Sequence, residues 1–458
     1  MNLEEHIKEG RLEVLRTAEK YNKEANNQKL EKLAQNMLRE NINDPAGLYY
    51  LANVYARTHR EEVAVTMLQK VVAFRPNNPD VWELMASCYD AMYMFEDAIA
   101  CYKKALEIDP DRIVTLGSIA SSYVGLSKPL LAIEYADKGL ALNPENVICK
   151  ANRGFANLML GNWDNGWEGY DLLLGHPGTK RKQINYTNRS REVGEFWMGQ
   201  DVDTLVIYTE QGIGDSIMFA SCIADAQKHA KQIIIDCDEK LEGLFKRSFP
   251  DCIVYGTRHD PDPDWVGQYQ IDDCIAIGSL PRLFRTKKED FPRTPYLSAE
   301  KDRRAMYRSV FDSWGKRPKI GIAWTGGNMY GGFRRLELDK LQRIIESVDA
   351  DFVSLQYKKT PSYDLPIKFM PYAAETNDYD DAAALVAELD LVISVPQACV
   401  HLAGALGKEC WCLVPDATRW IYGVQGKEHS WYQSVELFRD WETNADEVIK
   451  RLQLRYPK

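Results

Sequence analysis

The chain has no CxxC pair, no apolar run long enough to span a bilayer, no excess of positive charge and no complete GxGxxG loop, and each absence excludes a class of function. Ten cysteines are scattered among apolar neighbours, and Cys410 and Cys412 form only a CxC. Buried thiols in a reducing compartment are therefore expected, not a zinc site or a disulfide framework. Nothing in the first ten residues, MNLEEHIKEG, has the form of a signal peptide, so the expectation is a cytoplasmic protein. A formal charge of −10 argues against a general nucleic-acid or anionic-membrane binder. Prolines separate the aspartates of Asp260–Asp264 (DPDPD), which reads as a stiff surface turn and not as a metal-binding DxD. What remains is an ordinary globular composition, 45% hydrophobic and 27% charged, over 458 residues, too many for one core.

An internal repeat occupies residues 1–175. Pro76, Pro110 and Pro144 fall 34 apart, as do Pro45 and Pro79. In one unit Trp82, Met85, Ala86, Tyr89, Ala98, Tyr102, Ala105 and Pro110 occupy the tetratricopeptide places, where large and small side chains alternate so that two antiparallel helices nest. The unit before repeats this from Leu48 to Pro76, and the unit after from Leu116 to Pro144. Degenerate copies flank them, with Ala18, Tyr21 and Ala34 before and Gly154, Gly166 and Tyr170 after. The spacing predicts a helical superhelix of four to five repeats whose concave face can hold an extended partner. Asn53, Arg57, Ser87 and Ser121 fall on its inner helices, either to bond a peptide or simply to meet water.

Residues 176–202 are polar, show neither helical nor strand period and read as a linker or docking segment; Lys180, Arg181, Lys182, Arg189 and Arg191 read as a solvated surface, with an acidic acceptor as the alternative partner. From residue 203 strands and helices alternate. Leu205–Tyr208 is a buried strand that meets Gln211, Gly212 and Gly214 and then a helix opening at Asp215. Parallel α/β domains present ligands in this way, at the carboxyl end of a strand beside a helix N-terminus. Asp215 is there either a cap or a catalytic group. A second βα series starts at Lys319–Trp324 (KIGIAW) and TGGN, with strands at Phe352–Gln356, Leu391–Val395 and Glu409–Val414 and a helix at Ala398–Leu406. The fold expected is thus a tetratricopeptide superhelix followed by two Rossmann-like α/β lobes facing a cleft, residues 203–315 and 316–458.

The segments YTEQGIGDSIMFA, GSLPRLF, KIGIAWTGG, DFVSLQ, NDYDDAAALVAELDLVISV, HLAGALGKECWCLVP and RWIYG, preceded by GNWDNGWEGY, resemble the heptosyltransferase-like glycosyltransferases in the branch that carries tetratricopeptide repeats. The overall plan is also similar to the protein O-GlcNAc transferases. The resemblance implies a two-lobed (GT-B type) enzyme that moves a sugar from a nucleotide diphosphate to an acceptor without metal or cofactor. Asp215 matches the family's candidate general base. Gly326, Arg334, Gln356, Gln397, Ala398, Cys399 and His401 match its donor side, with Arg334 on phosphate and Gln356 near the nucleoside; His401 either meets phosphate or packs. The implied partners are a nucleotide sugar and a protein, peptide or glycan acceptor held by the repeats, with no nucleic acid. The chain departs from the family where Pro396-Gln397 replaces the usual Asp-Thr and where MYGGF replaces a His-Lys segment. The rival reading is an inactive nucleotide-sugar-binding scaffold or a repeat-based interaction module.

Overall fold

The computed structural model describes residues 3–176, 181–187, 196–326, 335–356, 365–370 and 378–457. The chain divides into two compact units, Met1–Arg153 and Gly154–Lys458. Residues 154–175, read from the spacing as the last repeat, group with the second unit, and the division falls inside one helix, α9 (Val147–Leu160).

The first unit is a run of antiparallel helix pairs: α1 (Leu3–Lys23) with α2 (Asn27–Glu40), α3 (Pro45–Arg57) with α4 (Glu61–Phe74), α5 (Pro79–Ala91) with α6 (Phe95–Ile108), and α7 (Ile113–Gly125) with α8 (Pro129–Leu142). The periodic prolines have two jobs. Pro45 and Pro79 start α3 and α5 at the first turn, where a missing N–H costs nothing, behind the capping side chains of Asp44 and Asn78. Pro76, Pro110 and Pro144 follow the ends of α4, α6 and α8, which they prevent from continuing. A second 34-residue period is visible only in the backbone: Ala25, His59, Tyr93 and Ser127 have φ of 51°, 58°, 60° and 56°, and Gly161, the next in the series, has φ of 78°. Each closes the turn inside a helix pair, so the repeat count is five. Ala52, Ala86 and Ala120 have no exposed surface, which is what lets the paired helices approach. Asp90 is drawn into this packing. It accepts from Tyr102 Oη at 3.0 Å and Ser122 Oγ at 2.7 Å, and burial pushes its carboxyl up to about 6. Of the inner polar residues, Asn53 is buried on the Tyr49 carbonyl, while Arg57, Ser87 and Ser121 are exposed.

The second unit holds two all-parallel sheets. The first has four strands, β1 (Val202–Tyr208), β2 (Ala230–Asp236), β3 (Ile253–Tyr255) and β4 (Asp273–Ala276), in the order β3-β2-β1-β4. Val206 lies opposite Ile234 on one side and Cys274 on the other. Leu205 to Tyr208 are buried, as a strand covered on both faces must be. Its helices are α10 (Trp163–Asp171), α11 (Ile213–Phe219), α12 (Ile223–Ala226), α13 (Glu242–Ser248) and α14 (Leu280–Phe284). After α15 (Lys301–Ser313) come β5 (Lys319–Ala323), β6 (Asp351–Ser354), β7 (Ile367–Lys368), β8 (Leu391–Ser394), β9 (Cys410–Leu413) and β10 (Val435–Phe438), ordered β10-β9-β8-β5-β6-β7. The helices α16 (Leu338–Glu346), α17 (Tyr379–Glu388), α18 (Ala398–Ala405) and α19 (Asn444–Arg455) complete it. Ile320, Ile322, Phe352, Ile393, Trp411 and Phe438 form its core with Leu341, Ile344, Val448 and Leu452. β7, β10 and α19 extend this sheet beyond the elements read from periodicity. Among the described residues no helix is long and apolar enough to cross a membrane.

Two local expectations change. The helix after β1 opens at Ile213 behind Gly212, so Asp215 is its third residue and not its cap. Arg181 is not a solvated surface residue: its side chain is 7% exposed and paired with Glu210 at 3.2 Å and Asp171 at 3.4 Å. Lys182 is exposed, and Lys180, Arg189 and Arg191 lie outside the described residues.

Candidate functional site

In both sheets the chain reverses its order beside a central strand, between β1 and β4 and between β5 and β8. Open parallel sheets take ligands at the carboxyl end of such a reversal, because the connections diverge there. The loop after β1 and the loop after β8 deliver α11 and α18 to one place. A β-carbon on Gly214 would stand 3.1 Å from Ala398 Cα and 3.2 Å from His401 Cδ2, so only glycine lets the two helix starts come this close.

A pocket of about 100 Å³ opens at this contact, lined by Gly214, Asp215, Gln397, Ala398, His401, Arg419, Ile421 and Tyr422. Asp215 Oδ1 is 3.5 Å from the Arg419 guanidinium, and both side chains are partly exposed, 13% and 26%. Gln397 is the extended residue before α18 and makes no side-chain cap, so the first backbone N–H groups of α18 have no side chain on them from that residue. The pocket therefore combines one carboxylate, one guanidinium, a helix N-terminus and an imidazole. His401 is 4% exposed, and burial pushes its ring down to about 4, so it is neutral near pH 7.

Of the residues singled out in the sequence, Asp215, Gly214, Gln397, Ala398 and His401 come together here. The others do not line this pocket. Gly212 caps α11 through its backbone position. Gln211 points its amide at Tyr170 Oη and Glu210. Cys399 turns its thiol to Ser394 Oγ at 3.1 Å, and burial pushes it up to about 12, which leaves it a packing group. Gln356 is a strut: its Oε1 accepts from the Trp324 and Thr325 amides at 2.9 and 3.2 Å, and its Nε2 donates to Thr325 Oγ1. Gly326 follows that loop, and Arg334 lies outside the described residues.

Arg419, Ile421 and Tyr422 escape the reading of single residues, although they stand in the segment RWIYG. A charge flanked by large aromatics just past a strand is the available signal. Trp420, between them, is buried against α10: Trp167 and Tyr170 meet its ring edge-on at 5.4 and 5.6 Å, and Phe219 of α11 stacks on it at 6.4 Å. Trp167 Nε1 donates to the Arg285 carbonyl at 2.7 Å, which pins α10 in turn. Arg439 closes the same loop by donating to the carbonyls of Gly423 and Gly426 at 3.2 and 2.6 Å. Behind the other wall, Arg181 stacks on the Tyr170 ring at 4.1 Å while its ion pair with Glu210 holds the residue next to Gln211. The aromatic helix α10 thus buttresses the chain on both sides of the pocket.

These features define a tetratricopeptide-repeat protein with a parallel α/β region. A tetratricopeptide repeat family model matches residues 79–112. Among curated proteins the chain is similar to Protein FlbA of Caulobacter vibrioides (strain ATCC 19089 / CIP 103742 / CB 15), 25% identical over 422 residues, covering 86% of this chain and 70% of that one. Among solved structures it is similar to a thermophilic tetratricopeptide protein of Thermus thermophilus (20% identity, 35% of this chain and 87% of that one, TM-score 0.31). It is also similar to pilF of Pseudomonas aeruginosa (18%, 36% and 75%, TM-score 0.33) and to MamA of Desulfovibrio magneticus RS-1 (18%, 35% and 88%, TM-score 0.31).

Proposed function

We propose that the second unit is a metal-independent glycosyltransferase that moves a sugar from a nucleotide diphosphate to a hydroxyl acceptor, with the two sheets as its two lobes. The observation that carries this reading is the meeting of Asp215, Arg419 and the start of α18 in one pocket at the carboxyl ends of the two sheets. Sugar transfer needs two things at once: a group to take the acceptor proton, and positive charge for the departing diphosphate. Asp215 takes the acceptor proton as the new carbon–oxygen bond forms at the anomeric carbon. The bond to the diphosphate breaks with its electron pair, and Arg419 and the α18 amides receive that charge. The repeats, in the same reading, hold a protein, peptide or glycan acceptor in the cytoplasm.

Calorimetry of the full chain with a panel of nucleotide sugars tests the donor site, and a complete lack of binding sinks the proposal. Asp215→Asn is expected to lower turnover about 10²- to 10⁴-fold while donor affinity is kept. Unchanged turnover would remove Asp215 from its role. A second reading, an inactive nucleotide-sugar-binding scaffold serving a repeat-based interaction module, is favoured by one observation: Gln397 stands before α18 without capping it, where a hydroxyl and a carboxylate would bind donor. Binding without transfer or hydrolysis would establish that reading instead.

A further inference from the structure

His401 is fixed from behind by a string of two tyrosine hydroxyls that ends on a backbone carbonyl. Its Nδ1 is 3.3 Å from Tyr432 Oη, Tyr432 Oη is 3.4 Å from Tyr296 Oη, and Tyr296 Oη donates to the Ile217 carbonyl at 2.8 Å. A phenol has one proton and a carbonyl only accepts. The proton of Tyr296 is therefore committed to Ile217, and the contact between the two tyrosines takes the proton of Tyr432. The contact between Tyr432 and His401 must then take its proton from Nδ1. A neutral imidazole carries a single N–H, so Nε2 is left bare. The opposite tautomer would set two phenol oxygens against each other with no proton between them, at a Tyr432 that has no exposed surface. Nε2 makes no hydrogen bond among the described residues, and the ring lines the pocket beside Asp215. Gly404 makes this string possible. It lies three residues along α18 from His401, and a β-carbon there would stand 2.3 Å from the Tyr432 ring.

From this geometry we infer that His401 presents a lone pair to the pocket and reads a hydroxyl of the bound ligand, as a specificity-determining contact, while phosphate oxygens go to Arg419 and the α18 amides. A bare ring nitrogen repels a phosphate oxygen and accepts from an O–H, so the class of group it selects is a sugar hydroxyl. The direction of the proton string rests on the hydrogen bonds alone; the sugar rests on the glycosyl-transfer reading above.

The experiment has two arms. In the intact protein labelled with ¹⁵N-histidine, the His401 signal, assigned by its loss in His401→Gln, is expected to show Nδ1–H and an unprotonated Nε2. Tyr296→Phe, which lies behind the pocket, is expected to free the Tyr432 proton for Nδ1 and so invert the tautomer. A proton on Nε2 in the unsubstituted protein overturns the inference, and so does a tautomer indifferent to Tyr296→Phe. In the second arm, calorimetry compares uridine, guanosine and adenosine diphosphates with their hexose derivatives. His401→Leu is expected to weaken the hexose derivative about five- to tenfold and to leave the diphosphate alone unchanged. An equal loss for both puts the ring on phosphate and overturns the hydroxyl assignment. Failure of every nucleotide to bind refutes glycosyl transfer and the sugar with it, while the tautomer measurement still decides the string.

Discussion

The two units of this chain are built by opposite strategies. In the repeat unit every structural decision is local and made several times over: a proline, an alanine and a left-handed turn residue recur every 34 positions, and each acts on neighbours within two helices. In the α/β unit the decisive contacts are single and distant, such as Asp215 with Arg419 or Arg181 with Asp171 and Glu210. A repeat spreads its stability over many weak copies, whereas a site assembled from distant loops concentrates it in a few groups that have no substitutes.

Among these single groups Arg181 has the most to lose. Arg181→Met leaves Glu210 buried without its cation and Asp171 with only Arg282 at 3.9 Å, and about 3–5 kcal/mol of stability is expected to go from the α/β unit alone. Ten of the eleven tryptophans lie in that unit, so its unfolding is read by fluorescence, while hydrogen exchange of peptides from α3 to α8 is expected to stay as it was.

One buried group in each unit, His429 and Asp90, is also expected to couple stability to pH with opposite sign. His429 has no exposed surface, and burial pushes its ring well below the ordinary value of 6.5. Its Nδ1 accepts from the Trp431 amide, so it is built to be neutral. The unfolded chain therefore binds a proton below pH 6.5 that the folded one refuses, and stability is lost as pH falls. Relative to the unsubstituted protein, His429→Leu is expected to gain about 1.4 kcal/mol per pH unit below 6.5, on top of a constant penalty for the emptied amide. Asp90 works the other way, because its folded carboxyl holds a proton up to about 6 and its unfolded one only to 3.8. Stability there is lost as pH rises between those values, so Asp90→Asn is expected to gain up to about 3 kcal/mol in relative terms across that window, a gain that then stays constant at higher pH. Denaturation series at pH 4.5, 5.5 and 6.5 check both slopes, and parallel slopes would abolish the contrast.

Two smaller substitutions sharpen it. Gly404→Ala drives a methyl group into the Tyr432 ring and is expected to cost about 1–3 kcal/mol in the α/β unit, read as a lowered denaturant midpoint. His59→Gly relieves a left-handed residue whose side chain is 93% exposed and is expected to add about 1 kcal/mol to the repeat unit only. If His59→Gly destabilised the repeats, the left-handed turn would not be the strained position it is taken for.

Much of this is legible without coordinates. The 34-residue spacing leads to the helix pairs, because periodic prolines and alanines act within one or two turns. Leu205–Tyr208, Lys319–Trp324 and Leu391–Val395 are legible as strands, because a strand covered on both faces must be apolar throughout. That Asp215 stands near a helix start is legible from the buried strand and glycines before it, whereas Gln397, Ala398 and His401 are singled out only through the family resemblance; the structure brings all four to one pocket. Arg181 misleads, since a basic residue in a polar stretch carries no sign of the carboxylates that will surround it. Arg419 and Tyr432 stay hidden for the same reason. Asp215 passes for a possible cap because the glycines before it hide where the first helical turn begins.

The sequence alone therefore determined the repeat arm, the two βα series and the helix starts that follow their central strands, since all of these follow from patterns a few residues long. Only the tertiary structure decided that Arg419 faces Asp215, that Arg181 is buried between two carboxylates, and that Tyr296 and Tyr432 line up behind His401. Those choices depend on which loops meet after the sheets have formed, and no local periodicity carries that information.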